Sequence, residues 1–368
     1  MKKILHVINV SFVLNHFFGN QFGYFSEKGY DFTVACTEDE ELYKQAKEKG
    51  FKAFAIPILK AISPFQDLVS IIKLTRFIKK EKFPVVVAHS PKGGLIGMAA
   101  AYLAGVKKRV FFRHGVIFET ATGFNRKMFI LVEKLVGALA TDVVIVSDSL
   151  KQLSHEYRLN APAKSVLLGK GTCGGIDVDR FQHRSKSGAD FVVGYVGRLV
   201  EDKGINELIA GWLRFAQEKS NVYLYIVGPW EKRNGISQDT FDIIRNNASI
   251  RFFDYVSDTA PLYQQMDVFI LPSYREGFPI SVLEASASGL PVITTRSTGC
   301  IDAIIENVTG IFTDITDVSI SQAIEYYYKN PMLRKEHGNN GVKFVQDNFS
   351  ENKLFLEIEE KVYTHRNI

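Results

Sequence analysis

The chain has 368 residues, too many for one ordinary core and suited to two domains of common size. Apolar residues make up 46% and charged residues 23%, which excludes a disordered or low-complexity chain. Net charge is +5 but unevenly spread: residues 1–180 hold 26 Lys and Arg against 16 Asp and Glu, a balance of +10, and the remainder holds 19 against 24, a balance of −5.

Within the first part, residues 51–127 hold 14 basic and 3 acidic side chains. By charge alone a phosphorylated substrate, an acidic lipid surface or a nucleic acid fits that stretch, as does a solvated face with no partner. No nucleic-acid recognition motif accompanies the charge, so nucleic acid is not expected as a partner. Met1-Lys2-Lys3 leads straight into Ile4–Ile8, with no cleavage site to follow, so no targeting segment is expected. The uncharged, apolar run Gly93 to Val106 falls short of the roughly 20 residues that span a bilayer. A cytoplasmic protein is expected, either free or peripheral on the cytoplasmic face of the inner membrane. Cys36, Cys173 and Cys300 are far apart and read as small packed residues, neither a disulfide framework nor a zinc site.

Short β-branched runs alternate with longer amphipathic ones. Ile4–Val10, Phe32–Cys36, Val85–Ala88, Val110–Phe112 and Val143–Val146 read as buried strands. Helical patterning falls near 17–29, 39–49, 65–82, 93–105 and 124–140. The glycine-rich stretch Gly169 to Gly188 interrupts the rhythm and reads as a link. Strands resume at Val192–Val196, Val222–Val227, Ile250–Phe253, Val268–Leu271 and Pro291–Thr294, with helices over 204–218, 238–247, 280–288 and 317–329. The tail from about 331 to 364 reads as helix with a break near Phe349-Ser350. Alternating strands and helices imply parallel sheets and right-handed crossovers. The expected fold is α/β: two doubly wound, Rossmann-like domains facing a central cleft. Their expected bounds are 1–170 and 171–348, with 349–368 a helix packing back on the first domain.

Three strand-to-helix loops carry candidate chemistry. Gly197-Arg198-Leu199-Val200-Glu201-Asp202-Lys203-Gly204 follows a strand and opens a helix, where backbone N–H groups favour anions. Arg198 can fork onto two phosphate oxygens and Lys203 adds a point charge. An ordinary turn with surface cations is the plainer alternative. In Arg275-Glu276-Gly277-Phe278-Pro279-Ile280-Ser281-Val282-Leu283-Glu284, Glu276 falls in a loop and Glu284 one turn into a helix. Pro279 suits that helix's first turn, and the two carboxylates can face one cavity. Between them the N–H groups of Ile280, Ser281, Val282 and Leu283 form a phosphate site, and carboxylates accept from sugar hydroxyls. The alternative is a capped helix whose acidic residues answer its macrodipole. The third loop is Arg113-His114-Gly115, a polar pair at a strand's carboxyl end. His114 can bond a sugar hydroxyl or move a proton, although a lone histidine also serves structure. His89-Ser90-Pro91-Lys92-Gly93-Gly94 has the same setting and offers either a second anion site or a close-packed helix start.

Taken together these motifs, with Gly299-Cys300-Ile301-Asp302-…-Glu306-Asn307-…-Thr309-Gly310, resemble glycosyltransferase family 4 of the GT-B fold over nearly the whole chain. The resemblance implies a retaining, metal-independent hexosyltransferase with no cofactor besides its nucleotide-sugar donor. It implies that Arg198 and Lys203 hold the diphosphate, with Gly277, Phe278 and the Ile280–Val282 backbone beside them. Glu276 then contacts the transferred sugar, Glu284 the ribose, and His114 the donor sugar from the other domain. Phe112–Gly123 further resembles bacterial enzymes of surface-polysaccharide and glycan assembly. Those often use UDP-sugars, commonly N-acetylated, and build on polyprenyl-diphosphate carriers. A glycan or lipid-linked acceptor at an acidic membrane surface then accounts for the basic first domain. The loop Asn9–His16 lacks the glycine pair that many family members carry after the first strand. Two other readings share the composition: a nucleotide-sugar epimerase of the same fold, and a non-catalytic membrane-binding protein.

Overall fold

The β-branched runs form strands because their branched side chains suit a pleated surface covered on both faces. The computed structural model describes residues 2–59, 63–182, 188–231 and 235–364. The chain divides into two compact units, Met1–Gly175 with Glu351–Ile368, and Ile176–Ser350.

The first unit contains seven parallel strands: β1 (Lys2–Val7), β2 (Tyr30–Cys36), β3 (Lys52–Ala55), β4 (Val85–His89), β5 (Lys108–Arg113), β6 (Asp142–Ile145) and β7 (Ser165–Val166). Their order is β3-β2-β1-β4-β5-β6-β7. The second unit contains β8 (Phe191–Val196), β9 (Val222–Val227), β10 (Ile250–Phe253), β11 (Val268–Leu271), β12 (Val292–Thr294) and β13 (Gly310–Phe312), in the order β10-β9-β8-β11-β12-β13. Both are doubly wound sheets. The strand order reverses between β1 and β4 in one and between β8 and β11 in the other, where such sheets hold ligands beyond their strand ends.

Several expected elements differ. The first strand stops at Val7, and Ser11–Val13 turns as a 3-10 helix. The helix expected over 17–29 is two, Leu14–Phe18 and Gln21–Glu27, with Gly19 at φ +45° between them. Strands β3, β7 and β13 and the helix Asp148–Glu156 were not expected. The link is irregular apart from a 3-10 turn at Asp179–Phe181, and its residues 183–187 lie outside the described residues. The tail breaks at Ser350 (ψ 136°) between helices Pro331–Phe349 and Glu351–Ile358, then closes in a wide π turn, Glu359–Tyr363. That last stretch belongs to the first unit, where Glu359 pairs with Lys28 and Glu357 accepts from the Gly169 N–H. All three cysteines are free and buried.

Candidate active site

In the second unit, three loops leave adjacent strand ends and are sewn together through backbone carbonyls. Ser273 Oγ, after β11, donates to the Asp202 carbonyl at 3.0 Å, and Tyr274 N–H donates to the same carbonyl at 2.9 Å. Thr295 and Ser297, after β12, both donate to the Ser273 carbonyl, at 2.6 and 2.8 Å. Glu276 N–H donates to the Thr298 carbonyl at 3.0 Å, and Arg275 pairs with Asp202. Gly204 permits the closest approach: its φ is +66°, and a Cβ there would lie 2.1 Å from the Pro272 carbonyl oxygen.

This stitching brings Lys203 to Glu276. Lys203 ends a 3-10 turn, Glu201–Lys203, rather than lying in the helix that follows, and its ammonium pairs with the Glu276 carboxylate. Arg198 is held elsewhere. Its carbonyl accepts from Tyr195 Oη at 2.9 Å, and its exposed guanidinium meets Glu231 at 2.9 Å in the loop after β9. Lys203 and Arg198 thus stand at the same strand end but on different carboxylates.

The helix after Glu276 runs Ile280–Ala287, with Pro279 at its N-cap rather than in its first turn. No side chain caps it and its first turn has no acidic residue, which removes the capped-helix alternative. Its first N–H groups therefore keep their attraction for an anion. Gly277, Phe278 and Ile280 are buried at this entry, and Ser281 is half-buried.

Glu284 is the fifth residue of the helix and has its own partner: Tyr263 Oη donates to its carboxylate at 2.8 Å. The two carboxylates expected to share a cavity thus have different partners. Glu284 retains some exposure, yet the protein around it excludes enough water to push its carboxyl up to about 7. The Tyr263 bond and the charge of Arg180 oppose that rise, and Asp258 adds to it.

In the first unit, Arg113 and His114 part company. Arg113 is wholly buried, donating to Glu133 at 2.9 Å and to Asn160 at 2.6 Å. His114 is half-buried and lies flat on Phe17, ring centroids 4.0 Å apart. At the other strand end, Ser90 caps the helix Pro91–Leu103 at φ +63°, accepting from Gly93 N–H and donating to Asn9. A Cβ on Gly94 would meet the Phe111 ring at 2.4 Å, and Lys92 pairs with Asp67. Close packing explains this loop without an anion. Among the described residues no group of three His, Cys, Asp or Glu side chains is arranged to hold a metal ion.

Residues that sequence reasoning did not single out include Tyr263, Glu231, Arg275, His6 and Tyr363. Tyr263 ends the short helix Ala260–Tyr263 and Glu231 lies in the loop after β9, neither within a motif. His6 is hidden in the apolar run of β1, and histidine in such a run was the signal available.

Two helices of the first unit also expose apolar stripes. Pro64–Glu81 buries Leu74 and Ile78 but leaves Phe65 80%, Leu68 55% and Ile72 41% exposed, ahead of Lys73, Arg76, Lys79 and Lys80. Gly123–Leu139 exposes Phe124, Leu131 and Leu135, and both helices pack on Pro91–Leu103. No helix among the described residues is long and apolar enough to cross a membrane.

Two doubly wound units, one with a cationic loop and an uncapped helix at its switch point, define a GT-B glycosyltransferase. Comparison with known proteins agrees. A family model described as "Glycosyltransferase Family 4" matches residues 20–169, and one described as "Glycosyl transferases group 1" matches 176–344. The capsular polysaccharide biosynthesis glycosyltransferase CapM of Staphylococcus aureus is 33% identical over 99% of this chain and 97% of that protein. An Escherichia coli UDP-Gal:alpha-D-GlcNAc-diphosphoundecaprenol alpha-1,3-galactosyltransferase is 28% identical over 78% of this chain and 77% of its own. Anabaena HepE, solved with UDP and glucose, shares the fold at a TM-score of 0.81 and 17% identity, covering 98% of this chain and 99% of that one. The chain belongs to glycosyltransferase family 4.

Proposed function

We propose that this glycosyltransferase is a retaining, metal-independent hexosyltransferase that moves an N-acetylated hexose from a UDP-sugar. Its acceptor is a glycan or a polyprenyl-diphosphate-linked glycan in bacterial surface-polysaccharide assembly. The observation that carries this reading is Lys203 held at the switch point of the second sheet, beside the uncapped N-terminus of Ile280–Ala287. A cation and a helix N-terminus with no side-chain cap at one strand end suit a diphosphate. The E. coli relative, whose name gives a UDP-sugar and a diphosphoundecaprenol acceptor, supports the donor and acceptor classes.

In this reading Lys203 and Arg198 turn from Glu276 and Glu231 towards the diphosphate and stabilise charge as it departs. The N–H groups at Ile280–Leu283 hold its oxygens, beside Gly277 and Phe278. Glu276, released, accepts from hydroxyls of the transferred sugar. Glu284 accepts from the ribose, and His114 contacts the donor sugar. No side chain acts as nucleophile. The acceptor attacks on the face that the diphosphate leaves, and the diphosphate takes the acceptor's proton. Orientation and electrostatics then supply most of the rate. The exposed stripes and basic helix ends of Pro64–Glu81 and Gly123–Leu139 rest on an acidic inner-membrane surface from the cytoplasmic side, where a lipid-linked acceptor resides.

A thermal-shift screen with UDP, GDP, ADP and their sugars, with and without EDTA, tests the donor. A ligand at about a hundred times its dissociation constant adds roughly 2.7 kcal/mol of stability. A UDP-sugar shift that survives EDTA is expected; a shift with GDP- or ADP-sugars alone, or one abolished by EDTA, overturns the donor or the metal independence.

A further inference from the structure

Three histidines on three adjacent strands form a line. His6 lies in β1, His89 ends β4, and His114 follows β5 by one residue. His6 Nδ1 is 3.0 Å from His89 Nε2, and His89 Nδ1 is 3.0 Å from His114 Nε2. At the far end His6 Nε2 is 3.1 Å from Tyr363 Oη, and Gln21 Nε2 donates to that same oxygen. The line joins the π turn at the end of the tail to the end of β5. Phe18, Phe22 and Phe32 pack around the His6 ring, and Phe112 stacks on His89.

A neutral imidazole has one donor and one acceptor nitrogen, so a line of them has only two self-consistent polarities. With the Gln21 amide donating to Tyr363, the phenol proton goes to His6 Nε2. His6 must then carry its proton on Nδ1 and give it to His89 Nε2. His89 in turn carries its proton on Nδ1 and gives it to His114 Nε2. His114 is left with its proton on Nδ1. Each step needs its ring neutral, and burial provides this: it lowers His6 to about 3 and His89 well below the ordinary histidine value. Turning the Gln21 amide over would reverse every bond and put the His114 proton on Nε2.

We propose that Gln21, Tyr363, His6 and His89 are positioning residues that hold His114 as the Nδ1-protonated tautomer, presenting an N–H donor rather than a basic nitrogen to the donor sugar. The proposal rests on the reading of His114 as a sugar contact. Phe17, stacked on the His114 ring at an interplanar angle of 1°, fixes the ring plane, while the relay fixes which nitrogen bears the proton. A donor suits an enzyme that strengthens a hydrogen bond to a sugar oxygen and takes no proton from it. It also gives the tail a task at the site beyond packing.

The test uses the full chain labelled with ¹⁵N-histidine, read by long-range ¹H–¹⁵N correlation near neutral pH, signals assigned by single histidine replacements. His6, His89 and His114 are expected to be neutral and protonated on Nδ1. Tyr363→Phe keeps the ring and removes the phenol proton, so the His114 signals should move towards a mixture of tautomers while a melting curve shows the fold retained. His114 protonated on Nε2 in the unaltered chain overturns the proposal whether or not the variant folds. So does a folded Tyr363→Phe chain whose His114 signals are unchanged. The sugar contact is checked separately in His114→Ala, by the extra thermal shift that UDP-N-acetylglucosamine gives over UDP. Loss of that increment is expected. Its persistence would overturn the functional half of the proposal while leaving the tautomer result to stand.

Discussion

Lys203, in the turn after β8, holds its ammonium against the carboxylate of Glu276, in the loop after β11. Their side chains are 17% and 12% exposed, so water screens the pair weakly. The cation is therefore fixed before a ligand arrives, and a ligand must bring more negative charge than one carboxylate to claim it. A diphosphate does. Replacing Arg198 and Lys203 together by Ala removes two charge-assisted contacts, each about 1.5–3 kcal/mol, so UDP affinity should fall at least a hundredfold. Calorimetry showing unchanged UDP affinity would defeat the phosphate assignment.

Glu276 has the opposite exposure to risk. In the ligand-free chain it neutralises Lys203, and in the proposed complex it is released to the sugar. Glu276→Ala should therefore leave UDP binding intact or slightly tighter, since its competitor for Lys203 is gone. Turnover should fall on the order of a hundredfold, the scale set by losing one strong transition-state hydrogen bond. Steady-state rates near normal, with the melting temperature retained, would remove Glu276 from the site.

Glu284 should make stability depend on pH. Its carboxyl titrates near 7 in the folded chain, raised chiefly by burial above the ordinary value of 4.5. Between these values the folded state binds more protons than the unfolded one. The contribution is thus fully present below about 4.5 and is lost as pH rises through about 7, a change of a few kcal/mol. Urea unfolding at a series of pH values should show this decline, and Glu284→Gln should flatten it. An identical slope in the variant would place the titrating group elsewhere.

The sheets were legible because most of their strands are β-branched or aromatic and long enough to declare themselves: Val222–Val227, Val268–Leu271 and the edge strand Ile250–Phe253 begin and end where the sequence places them. The other three edge strands were not. Lys52–Ala55 has no β-branched residue, Ser165–Val166 has two residues in all, and Gly310–Phe312 is held by pairing with β12. At the site, Lys203 and Glu276 stand out because cations and glycines after a strand have a physical use. Their bonding does not, since it depends on loops from distant segments. Glu231 lies 33 residues from Arg198, and Arg275 lies 73 from Asp202. The His6–Tyr363 contact spans 357 residues and leaves no local pattern.

Arg113 illustrates the same gap, because the sequence offers it as a ligand and the fold uses it as a brace. It lies wholly inside the first unit against Glu133, whose carboxyl burial raises even with the guanidinium beside it. Glu133→Ala would strand a buried cation and should cost about 3–5 kcal/mol. Arg113→Met with Glu133→Leu removes both charges and should cost much less. A double variant as unstable as the single one in denaturant melts would show that packing, not charge, sets the penalty.

The exposed stripe on Pro64–Glu81 bears on where the enzyme works. Phe65, Leu68 and Ile72 recur at three- and four-residue steps, so they share one helix face, with four cations following along the same helix. A solvated helix has no use for a phenylalanine 80% exposed, whereas an interfacial one buries it among lipid chains. Burying such a side chain contributes at most about 1.5–3 kcal/mol, and each nearby cation about 1 kcal/mol on an acidic surface. Sedimentation with phosphatidylglycerol vesicles should therefore show binding that weakens with salt, and Phe65→Ser with Leu68→Ser and Ile72→Ser should lower it at least tenfold. The salt dependence should persist in that triple variant, because its cations remain. Absence of vesicle binding by the unaltered chain at low salt would defeat the membrane reading and leave the stripe as a surface for a protein partner.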